Sequence, residues 1–66
     1  MSNTTDAFTK EIFEYIGDQY GKAIVKNLQS DKNKTTVTRL VESSHRQNNN
    51  VAHAANKIIA MLRMNP

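Results

Sequence analysis

The side chains best suited to chemistry lie in the second half of the chain. Arg39, Arg46, Lys57 and Arg63 are cations, and Asn49, His53 and Asn56 both donate and accept hydrogen bonds. Guanidinium and ammonium groups neutralise phosphates, while Asn and Arg pair with base edges. Charge placement strengthens this pattern. Residues 1–31 carry three bases and five acids, net −2, whereas residues 32–66 carry six bases against Glu42 alone, net +5. Such an imbalance points to nucleic acid or to an acidic protein surface; the ordinary alternative is an unevenly charged solvated face.

Catalytic chemistry finds no footing. A nucleophile needs a base and a group to orient that base, and two histidines with scattered serines define no such set. His45 and His53 are eight residues apart, not the three or four that set two ligands on one helix face. Glu11 and Glu14 are one helical turn apart, as on any wet helix face. Gly17 and Gly21 lack the strand and the Lys-Ser/Thr pair of a phosphate loop. The absence of cysteine excludes disulfides and thiolate zinc sites. The expectation is a non-enzyme with no cofactor and no metal.

Three helices must position the cationic groups. Val51, Ala54, Ala55, Ile58, Ile59 and Leu62 form one apolar stripe, which predicts a helix over 50–63. Its other face carries Ala52, His53, Asn56, Lys57, Ala60 and Arg63, with no acid. Val37, Leu40, Val41 and Ser44 repeat the spacing and predict a helix over 35–46, capped by Thr35 or Thr36. In the first half, Phe8, Ile12, Ile16, Tyr20, Ile24 and Leu28 recur every four residues and predict a helix over 6–29, with Asp6 at its positive end. A strict four-residue repeat drifts around a straight helix, and Gly17 and Gly21 sit in its middle. Two readings follow. One is a continuous or kinked helix, favoured because no proline intervenes and Tyr20 stays in register. The other ends a first helix at Gly17 and starts a second at Gly21 or Lys22. Ser30–Lys34 is polar and reads as a loop. His45–Asn50 is a second break, in which one asparagine ends a helix and another caps the next. Met1–Thr4 is expected to fray, and Pro66 follows the last helix.

The helices over 35–46 and 50–63, with the turn between them, have helix-turn-helix proportions. Asn50-x-x-x-Ala54-Ala55-x-x-Ile58 resembles the Gly-Asn-x-x-x-Ala-Ala-x-x-Leu segment of Fis-type helix-turn-helix domains over about ten residues. Ile59 stands where that family has a turn glycine, so the segment does not carry the family, and DNA reading here requires another arrangement.

A chain of 66 residues buries only ~60% of its unfolded surface, so its core is marginal. Without disulfides or metal, self-association is the remaining support. The sequence therefore predicts an all-α, three-helix homodimer paired through its first or third helix, with Phe13, Tyr15, Val25, Ile59 and Met61 at the interface. The polar start carries no apolar leader, and no run approaches the ~20 apolar residues of a membrane span. The expectation is a cytoplasmic protein without a membrane partner. Its function reads as a small DNA- or nucleic-acid-binding regulator, contacting its ligand through Arg39, Arg46, Asn49, His53, Asn56, Lys57 and Arg63. The alternative is a small helical adaptor or inhibitor that binds another protein.

Overall fold

The four-residue apolar repeat of the first half folds as a hairpin of two helices. The computed structural model describes residues 3–64. In it, α1 (Asn3–Tyr20) and α2 (Lys22–Leu28) are separated by Gly21 alone. Gly21 has φ 100° and ψ 156°, a region open in practice only to glycine. The break lies one turn later than Gly17, which stays inside α1. It resolves the drift of the repeat. A straight rod would carry Leu28 around to another side, whereas the reversal returns it to the core that holds Ile12 and Ile16, all three at most 1% exposed. Tyr20 does not follow the pattern. As the last residue of α1 it is 37% exposed instead of packed in the core. A Cβ on Gly17 would stand 3.7 Å from Val25 Cγ2, which shows how closely α2 folds back on α1.

The third element, α3, spans Asp31–Arg46 and begins well before Thr35. Most of the expected Ser30–Lys34 loop is its first turn, and only Ser30 remains outside as the N-cap. A buried amide explains the difference. Asn33 is 6% exposed, and its Nδ2 donates to Asn27 O at 3.2 Å and to Asn27 Oδ1 at 3.0 Å, tying the start of α3 to the end of α2. Ser30 Oγ donates backward to Asn27 O at 2.7 Å and does not cap α3 with its side chain. The last helix, α4, spans Val51–Met64, one residue displaced from its expected bounds. At the other end, α1 takes in Asn3 and Thr4, which were expected to fray, and Asp6 falls in its first turn. Met1, Ser2 and Pro66 lie outside the described residues.

The protein is all-helical, with four helices among the described residues where three were expected. Both α1 and α3 pack against each other and against α2 and α4. The core is built from Ile12, Ile16, Leu28, Val37, Val41, Ala54, Ala55, Ile58 and Ile59. Ala54 and Ala55 are fully buried, and their small side chains let α4 sit deep between α1 and α3. That depth covers Ile59, which is 5% exposed and so belongs to this chain's own core, not to an interface with a second copy.

The two glycines should respond oppositely to alanine. Gly21→Ala should destabilise by about 1–3 kcal/mol, because it forces a Cβ onto a glycine-only backbone. Gly17→Ala should stabilise by up to about 1 kcal/mol through helix propensity, since its Cβ meets only an ordinary contact. Urea denaturation of both variants checks the pair.

Candidate nucleic-acid interface

On α3 three of the four Lys and Arg residues fall in a line, and Lys34 lies off it. Lys32, Arg39 and Arg46 recur every seven residues, close to two full turns, so they stack along one side of the helix. The buried residues of α3, Asn33, Val37, Val41 and Ser44, occupy a different face. Arg39 and Arg46 are exposed. Glu42 lies one turn from both, yet among the described residues it forms no ion pair with either.

The solvent face of α4 is free of acids. His53, Asn56 and Arg63 are exposed and Lys57 is half-buried, while Ala54, Ala55, Ile58 and Ile59 point inward. The helix therefore sorts its sequence as its period dictates, apolar stripe to the core and cations to water. Among the described residues no carboxylate pairs with Lys57 or Arg63.

The turn that joins the two helices is built by its asparagines. Asn48 adopts φ 58°, the left-handed conformation that asparagine tolerates better than other side-chain-bearing residues. Its amide donates to His45 O at 3.2 Å, and the Asn49 amide donates to Ser44 O at 3.0 Å. That pair of bonds is a Schellman closure of α3. Asn50 then caps α4, its Oδ1 accepting the His53 amide at 2.8 Å. Of the seven residues singled out from the sequence, Asn49 is the one directed inward. Among the described residues its Nδ2 is buried without a hydrogen-bond partner, as is Ser44 Oγ. The structure thus places Arg39 and Arg46 on α3 and His53, Asn56, Lys57 and Arg63 on α4, and leaves Asn49 in the turn. Lys32 lies on the same line of α3 and is not among the seven, although its seven-residue spacing to Arg39 is visible in the sequence.

His45 anchors this half to the other. Its ring lies 5.4 Å from that of Phe8, and its Nδ1 lies 3.4 Å from Thr5 Oγ1. It is half-buried against α1 and acts as a docking group.

Two grooves lie apart from the seven residues. An open one of about 1120 Å³ runs between α1 and α2, and a smaller one of about 390 Å³ lies between α1 and α3. None of the seven residues lines either. Phe13 lines both and Val25 the larger, so two of the expected interface residues meet there. Tyr15 and Met61 are half-buried against the core and line neither. Among the described residues no group of three or more His, Asp or Glu is placed to hold a metal, and no helix is long and apolar enough to cross a membrane. Comparison with protein-family models, with curated proteins and with solved structures finds no match in any of the three.

If the asparagines hold the turn, Asn50→Ala should cost about 0.5–2 kcal/mol by loss of the cap. Asn48→Ala should cost about 1–2 kcal/mol, and Asn48→Gly should not. Equal stability of Asn48→Ala and Asn48→Gly in thermal unfolding would count against this account.

Proposed function

We propose that this chain is a small basic nucleic-acid-binding protein, a cytoplasmic regulator that acts as a homodimer. The observation that carries the reading is the acid-free solvent face of α4, with Lys57 and Arg63 unpaired among the described residues. The outward line of α3 adds Arg39 and Arg46. Cations not engaged by the protein's own carboxylates release counterions from a phosphate backbone when they bind it, and this supplies sequence-independent affinity. Asn56 and His53 stand on the same face and provide hydrogen bonds to base edges or sugars. The α3–turn–α4 unit has helix-turn-helix proportions, with α4 in the position of the second helix.

The alternative, an adaptor or inhibitor of another protein, draws support from the open groove floored by Phe13 and Val25. The groove and the cationic face share no residue, so variants of one leave the other intact.

Binding to a random-sequence duplex, followed by fluorescence anisotropy across salt concentration, tests the proposal. Affinity should fall steeply with salt, and Arg39→Ala, Arg46→Ala, Lys57→Ala and Arg63→Ala should each reduce the log–log slope by about one. Glu42→Gln should tighten binding by relieving repulsion of the phosphates beside Arg39 and Arg46. Absence of binding at low salt, or slopes that ignore these substitutions, would overturn the reading.

A further inference from the structure

We infer that the groove between α1 and α2 seats a second copy of this chain, on a two-fold axis that runs along the groove. The inference rests on the homodimer proposed above and names the surface and geometry that form it.

The walls of the groove are opposite in charge. On α1, Asp6, Glu14 and Asp18 stand along one side with Lys10 among them, net −2, and on α2, Lys22 and Lys26 stand along the other, net +2. All six are exposed. Among the described residues no ion pair joins the two walls across the groove. Between the walls lie Phe13 and Val25, half-buried, with Gly17 beside them. An apolar floor between an acidic wall and a basic wall is self-complementary under one symmetry operation. Rotation by a half-turn about an axis along the groove lays the acidic wall of one copy over the basic wall of the other, twice. Position along the groove is unchanged by that rotation, so Glu14 and Asp18 meet the partner's Lys22 and Lys26 at the same end. Rotation about an axis across the groove lays acid on acid and lysine on lysine, and like charges in register oppose association. The charge pattern therefore selects one isologous arrangement. In it the α1 helix of one copy packs antiparallel on α2 of the other, and the two Phe13 rings come together at the centre. The cationic faces of α3 and α4 stay outside the interface, because none of their contact residues lines the groove.

A charge-swap experiment tests this on the full chain. One variant carries Glu14→Lys and Asp18→Lys, so that both walls are basic; the other carries Lys22→Glu and Lys26→Glu, so that both are acidic. By sedimentation equilibrium the wild-type chain should be dimeric. Each variant alone should be monomeric, with self-association weakened by at least about a hundredfold. An equimolar mixture of the two should regain the dimer mass. Circular dichroism of each variant confirms helix content, and the rescue in the mixture excludes misfolding as the cause of the losses. A wild-type chain that stays monomeric at high concentration overturns both the dimer and this interface. Variants that dimerise alone, or folded variants that fail to associate in the mixture while wild type dimerises, overturn the interface only and leave the dimer standing.

Discussion

The molecule depends on the closeness with which α4 approaches α1 and α3. A chain this short has little apolar surface to remove from water, and each large aliphatic contributes only about 1.5–3 kcal/mol when fully buried. Conformational entropy offsets most of that sum. Ala54 and Ala55 make the approach possible, since neither holds the helix axes apart, and both are fully buried. Ile58 and Ile59 then reach the core from adjacent positions. A larger residue at either alanine would lift α4 and expose Ile59.

Depth of packing also fixes the outer surface. Once the apolar stripe of α4 is buried, the helical period leaves His53, Asn56 and Arg63 in water. The same logic on α3 turns Arg39 and Arg46 outward while Val37 and Val41 go in. The α1–α2 hairpin supplies the other surface, an open groove with opposed charges on its walls. A chain with a single small core thus presents two chemically distinct faces, and each is a direct consequence of which stripe its helices bury.

Polar side chains carry much of the detail that apolar burial leaves undetermined. The Asn33 side chain joins the end of α2 to the start of α3, the Asn50 side chain opens α4, and Asn48 and Asn49 close α3 through their backbone amides. Each satisfies backbone groups at or near a helix end that would otherwise lack partners. Against this stand Ser44 Oγ and Asn49 Nδ2, buried without a partner among the described residues. A buried polar group in that state costs about 1–3 kcal/mol, a large share of the stability of so small a domain.

The sequence alone determined that the chain is helical, that 50–63 forms an amphipathic helix, that asparagines close the second break, and which cations lie opposite its apolar stripe. These follow from the helical period and from local capping preferences, which are properties of neighbouring residues. It did not reveal that the first helix ends at Gly21, because a Gly mid-pattern costs similar free energy in a kinked helix and in a broken one; the return of Leu28 to the core beside Ile12 and Ile16 decides between them. Nor did it show Asn33 as a buried residue of α3, since a polar stretch reads as a loop until a distant amide is there to receive it. The burial of Ile59 and the exposure of Tyr20 were likewise settled only in three dimensions. Both depend on how deeply one helix seats against others, a quantity set by side chains far apart along the chain.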